Sequence, residues 1–154
     1  MDDIRVPVPP GSTRFLDLLR VDMRARGYAL PTERTYLLWI TRYINYSKRR
    51  HPAEMGQPEI ESFLNHLAVD RTVSPATQRT ALNALMYLYT KYFGREPPQL
   101  SFSYAKTTQR LPTVLTNEEA KAIISHLSGS PRLMVELLYG CGLRLHECLV
   151  LRVK

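Results

Sequence analysis

Phe15, Leu16, Leu19 and Met23 recur at three- and four-residue spacing, the pattern of an amphipathic helix. Ser12 or Thr13 is its expected cap and Gly27 its exit. A second stripe, Tyr36, Ile40, Tyr43, Ile44 and Ser47, predicts a helix from Thr32 to about Lys48 that leaves Arg34 and Arg42 off the apolar face. His51-Pro52 ends it, because proline biases the residue before it away from the helical region. Ile60, Phe63, Leu64 and Leu67 predict a third helix over 58–69, with Pro58 and two glutamates in its first turn. Ser74-Pro75 opens a fourth, whose stripe Leu82, Leu85, Met86, Leu88, Tyr89 and Tyr92 runs to Gly94. No run alternates as a strand does, so the expected class is all-α, a four-helix bundle followed by further helices.

The pattern breaks at 95–112, where Pro97-Pro98, a polar run and Pro112 predict an extended linker. Beyond it, Thr116-Asn117-Glu118-Glu119 reads as a capping box opening a helix to about Leu127. Leu133–Leu138 predicts another helix, and Gly140-Cys141-Gly142 leads into a last one from about Leu143. The expected organisation is a flexible arm (1–11), a helical domain (12–94), the linker, and an incomplete second domain (113–154) whose final helix lacks a C-terminal cap, which reads as truncation.

Charge narrows the function classes. The 154 residues carry 21 Lys+Arg against 14 Asp+Glu, a formal +7, which favours a polyanionic partner. Hydrophobic residues make up 44%, enough for a packed core and against wholesale disorder. No apolar stretch is long enough to cross a bilayer, the start is acidic and unlike a signal peptide, and two cysteines form no disulfide framework. The expected location is the cytoplasm, with no membrane partner.

Thr77, Gln78, Arg79, Thr80 and Asn83 gather near the start of the fourth helix, where side chains of these types can reach base edges or phosphates. Lys48, Arg49 and Arg50 form the densest basic cluster, and Lys106 and Arg110 give the linker charge suited to lying along a backbone. A solvated helix face explains each group as well. Cys141, His146 and Cys148 lack zinc-site spacing and a fourth ligand, and no Walker loop, dinucleotide fingerprint or nucleophile triad is present. Neither a metal nor a cofactor is expected.

Leu137 to Leu149 (LLYGCGLRLHECL) resembles the signature around the first catalytic arginine of tyrosine recombinases, and Arg144 falls on that arginine. Leu111 to Thr116 resembles the family's entry into its catalytic domain, and the four preceding helices its core-binding, SAM-like domain. Tyr36 to Tyr46, His51-Pro52 with Met55-Gly56, Phe63 to Val69, Ala81 to Leu85 and Arg144 to Lys154 resemble, more narrowly, integron integrases. The resemblance implies DNA attachment sites as partner and strand exchange through a phosphotyrosine by a tetramer on paired sites. It also implies that the second and fourth helices face DNA, so that Arg34, Arg42, Arg49, Gln78, Arg79 and Asn83 touch it, with Lys106 and Arg110 on the backbone. Arg144 would bind the scissile phosphate, since a guanidinium can donate two parallel hydrogen bonds to its non-bridging oxygens. The lysine, His-x-x-Arg segment and nucleophilic tyrosine that the family places later have no counterpart in these residues. The chain alone is therefore expected to bind DNA without cutting it and to assemble weakly or not at all. Two other readings stay open from the residues: a stand-alone helical DNA-binding or regulatory protein, and a helical protein-interaction module.

Overall fold

A computed structural model describes residues 7–106 and 113–152. These residues form helices and connecting segments, with no strand among them. Contacts divide the chain into two units, Met1–Thr108 and Gln109–Lys154.

The first unit contains α1 (Phe15–Ala25), α2 (Leu30–Tyr46), α3 (Gln57–Val69) and α4 (Pro75–Met86). A short 3-10 turn, Pro52–Glu54, joins α2 to α3. Leu19, Met23, Ile40, Tyr43, Ile60, Leu64, Leu85 and Leu88 are fully buried, so each helix lends its predicted stripe to one core. Removing any of the aliphatic members to alanine would cost about 2–5 kcal/mol through lost burial and an unfilled cavity.

The helix ends differ instructively from expectation. The N-cap position of α1 is Arg14, and the Ser12 hydroxyl donates instead to the Asp17 carboxylate at 2.8 Å. Ser74 does cap α4, accepting the Thr77 N–H at 3.2 Å. The start of α3 is held by the Glu59 carboxylate, which takes the Gly56 N–H at 2.9 Å. The fourth stripe does not stay α-helical to its end. From Tyr87 to Tyr92 the chain continues as a π-helix, and Gly94, at φ 65°, closes it in the left-handed region that glycine enters without strain.

Residues 99–105 were expected to belong to a linker, yet they are strapped to the bundle. Ser101 N–H donates to Glu61 at 2.8 Å, Ser103 N–H to Asn65 at 2.7 Å, and Leu100 and Phe102 pack against the core.

The second unit comprises α5 (Asn117–Ser125), α6 (Gly129–Cys141) and α7 (Leu145–Leu149). The Thr116–Glu119 capping box forms in both directions, at 2.8 and 3.2 Å. Among the described residues of this unit only Ala120 and Cys148 are buried, while Leu133, Leu145, Leu149, Val150 and Leu151 are exposed. No helix among the described residues is long and apolar enough to cross a membrane.

Candidate nucleic-acid interface

The cations of the first unit differ in their partners. Those on α1 are matched with acids: Arg20 with Asp17 at 2.7 Å, Arg24 with Glu33 at 2.8 Å and Arg26 with Asp22 at 2.7 Å. Hydrogen bonds from Ser12 and Arg20 hold the Asp17 carboxyl below its usual range. Burial pushes the Asp22 carboxyl up, but the Arg26 guanidinium and the Tyr87 hydroxyl outweigh it and leave it lowered. Arg42, Lys48, Arg49, Arg71 and Arg79 are exposed and make no ion pair among the described residues.

Lys48 and Arg49 sit where α2 ends. Lys48 N–H donates to Asn45 O at 3.2 Å and Arg49 N–H to Ile44 O at 2.8 Å, the two bonds of a Schellman motif. That motif wants glycine at its left-handed position, yet Lys48 and Arg49 occupy φ 55° and 60°. Arg50 is used internally: its guanidinium donates to Glu59 at 3.2 Å and to the Glu54 carbonyl at 3.1 Å, tying the 3-10 turn to α3.

Between α2 and α3 the surface is hollowed into three concavities that all include Tyr46. One end is lined by Lys48 and Arg50, with Glu59 and Ser62. At the other, Trp39, Arg42, Asn45, His66, Arg71 and Thr77 line a groove of about 380 Å³. Tyr46 forms the shared wall, its ring stacked on His66 with centroids 4.8 Å apart and its hydroxyl 2.9 Å from that of Ser62. The Arg42 guanidinium lies over the Trp39 ring, 4.8 Å from its centroid. Two sequence-predicted residues, Arg42 and Thr77, are thus brought to one groove, and Arg71 joins them from the short loop between α3 and α4. Arg71 is not among the sequence-predicted residues; its neighbour Asp70 is 2.7 Å from the His66 ring nitrogen and makes no ion pair with it.

Other predicted residues lie elsewhere on the first unit. Arg34 lines a separate groove between α1 and α2 with Leu16, Leu30 and Thr41. Arg79 borders a small hollow with Phe102 and Tyr104. Asn83 and Lys106 are exposed, and Arg110 lies outside the described residues. Gln78 has to be withdrawn as a DNA contact. It is 2% exposed, and its amide donates to Leu64 O at 3.0 Å and Ser103 O at 2.8 Å while accepting the Ala105 N–H at 2.8 Å. Both ends of the side chain are spent on the strap.

In the second unit Arg144 occupies the N-cap position of α7. Its N–H donates to Glu147 at 2.8 Å and its guanidinium touches the same carboxylate at 3.3 Å, yet the side chain is 87% exposed. The guanidinium thus stands open to solvent while resting on Glu147. Cys141 is exposed and Cys148 buried, both as free thiols.

Residues 15–99 match the family model described as phage integrase, N-terminal SAM-like domain. The chain is 42% identical to proteins named Integrase/recombinase from Escherichia coli and from Pseudomonas aeruginosa, over 100% of its own length and 46% of theirs. It is 26% identical to Tyrosine recombinase XerD of Oceanobacillus iheyensis, over 90% of the chain and 50% of that protein. The chain thus spans about half the length of the curated relatives it matches. An all-helical first unit with the matched span reaching from α1 to the strap, and an Arg144 segment continuing the likeness through the second unit, agree on one conclusion: the chain belongs to the phage-integrase family of tyrosine recombinases and carries its N-terminal SAM-like domain.

Proposed function

We propose that the first unit binds DNA, as the core-binding part of a site-specific recombinase of the integron type that works in the cytoplasm on DNA attachment sites. The observation that carries this reading is the segregation of charge. Every arginine on α1 that points at a carboxylate has one within 2.9 Å, while Arg42, Lys48, Arg49, Arg71 and Arg79 are left without acids on the surfaces of α2, α4 and the adjoining turns. Arg34, Asn83, Lys106 and Arg110 are further contacts in this reading, and Arg50, bonded to Glu59 and the Glu54 carbonyl, holds the 3-10 turn beside α3. In this reading Arg144 binds the scissile phosphate once further catalytic groups surround it, and a tetramer on paired sites is the working assembly of the whole recombinase. The 154 residues by themselves bind DNA and leave its strands intact.

A gel shift of the full chain on duplex DNA at several salt concentrations tests this. Neutralising phosphates releases condensed counterions, so binding should weaken steeply as salt rises, with a log–log slope of about −0.9 for each phosphate contact. Absence of a salt-dependent shift would overturn the reading, and a covalent protein–DNA adduct would overturn the separation of binding from cleavage.

A further inference from the structure

We propose that the groove holding Arg42 and Arg71 is a seat for one backbone phosphate of DNA, with these two guanidiniums as its donors and Trp39 and Thr72 as the residues that hold them in place. The proposal rests on the DNA-binding reading and assigns it a specific site.

Four features of the groove point to an anion. First, its lining contains two arginines and no carboxylate, so two like charges face one concavity, an arrangement that an incoming negative charge relieves. Second, Arg42 is laid on the Trp39 ring, which leaves the planar edge of the guanidinium for a phosphate and reduces the freedom lost when one binds. Third, Arg71 is delivered by a backbone that resists it. Thr72 has φ 44°, a region that a β-branched residue rarely occupies, and such outliers persist mainly where a binding or switching role maintains them. The turn closes through Val73 N–H to Leu67 O at 3.1 Å, which sets Arg71 beside the first turn of α4. Fourth, Thr77 from that turn lines the same groove, and the positive end of a 12-residue helix adds to its potential.

A polyanion fits better than a small free anion. Across Tyr46 the groove adjoins the concavity lined by Lys48 and Arg50 with Glu59, so a backbone laid along the surface meets Lys48 as a third cation beyond the two arginines, whereas a single small anion would use one end only.

The test uses the full chain and duplex DNA. Arg71→Gln and Arg42→Gln should each weaken binding several-fold and reduce the magnitude of the salt slope by about one. Lys91→Gln, which removes the same charge from an exposed position on the π-helix, should do neither. Thermal melting of each variant verifies folding. A second readout needs no variant: the Nε–H resonances of Arg42 and Arg71 should shift on adding DNA, while that of Arg95, whose guanidinium is bound to the Met55 and Ala53 carbonyls, should stay. If the chain binds DNA but Arg71→Gln behaves as Lys91→Gln and the two resonances stay fixed, the seat is wrong and the DNA-binding reading survives. If inorganic phosphate moves both resonances as fully as DNA does at matched phosphate concentration, the site takes free anions and the backbone assignment falls. No DNA binding by the unaltered chain removes both readings together.

Discussion

The hydroxyls of Tyr43 and Tyr89 lie 3.0 Å apart in the buried core of the first unit, although 46 residues separate them. Tyr89 donates onward to the Pro52 carbonyl at 3.1 Å, which makes Tyr43 the donor to Tyr89. Burial, with the Tyr89 contact adding to it, pushes the Tyr43 hydroxyl far above the usual tyrosine range, so the relay stays neutral at any working pH. Its two members are not equivalent. Tyr43→Phe removes one donor and leaves Tyr89 still bonded, so a loss of about 1 kcal/mol is expected. Tyr89→Phe leaves the buried Tyr43 hydroxyl without a partner, while the Pro52 carbonyl keeps the Met55 N–H at 3.1 Å, and should cost about 1–3 kcal/mol. Urea denaturation of the two variants checks the order; equal losses would mean the relay does not run as described.

Gln78 ties the strap to the bundle. Replacing it with leucine keeps the volume roughly constant but leaves the Ser103 carbonyl and the Ala105 N–H without the amide, the Leu64 carbonyl keeping its place inside α3, so Gln78→Leu should destabilise the first unit by about 2 kcal/mol or more. Limited proteolysis should then cut within 99–106 sooner than in the unaltered chain. An unchanged cleavage pattern would show that the apolar contacts of Leu100 and Phe102 hold the strap on their own.

Lys48 offers a case in which binding and stability pull apart. A lysine in the left-handed conformation at the end of α2 is strained, and Lys48→Gly should raise stability by about 0.5–1 kcal/mol while lowering DNA affinity. Calorimetric melting read beside a DNA titration gives both signs. A lower melting temperature would contradict the strain assigned to this position.

Acid should loosen the strap before it unfolds the core. The Ser101 N–H, with Gln57 assisting, holds the Glu61 carboxyl below its usual range, and the Gly56 N–H does the same for Glu59, with Arg50 adding to it. A carboxyl with a depressed value in the folded protein contributes stability that is complete above its unfolded value, about 4.3, and drains away as pH falls towards the folded one. Melting temperature should therefore be flat with respect to these groups from pH 7 to about 5 and fall below about 4. The Ser101 amide should exchange with solvent faster over the same range. Glu61→Gln, which can still accept a hydrogen bond but cannot titrate, should remove Glu61's share of that fall; an unaltered profile would count against its part in holding the strap.

Helical spacing in the sequence was enough to find α1 to α4, because each buries one stripe against the same core and the period survives packing. Ser74 and the Thr116–Glu119 box were legible for a related reason: caps are local, and nothing distant competes for those hydroxyls. Ser12 shows the limit, since an aspartate five residues on takes its hydroxyl. The π-helical end of the fourth stripe was not legible, because Leu88, Tyr89 and Tyr92 fit either helix about equally. Gln78 was misread for a long-range reason: a polar side chain beside Arg79 looks solvent-facing until residues 99–105 come back to cover it. Arg71 was not picked out: that its neighbour Asp70 turns to His66 and leaves it unmatched is visible only in the fold.

The π-helix from Tyr87 to Tyr92 has a consequence for the direction in which the chain travels afterwards. In an α-helix one residue more or less turns everything beyond it by about 100°. A widened turn takes up such a residue without passing the rotation on, and here it lets Tyr87, Leu88 and Tyr89 all face inward in succession. It works as a phase adjuster: the chain leaves Gly94 aimed so that Arg95 meets the Met55 and Ala53 carbonyls and the strap lands beside Glu61, Asn65 and Gln78. Winding these same residues as an ordinary α-helix, with none removed, would swing the exit by about 100° round the helix axis. The helices could all still form, and residues 99–105 would be carried away from Glu61, Asn65 and Gln78.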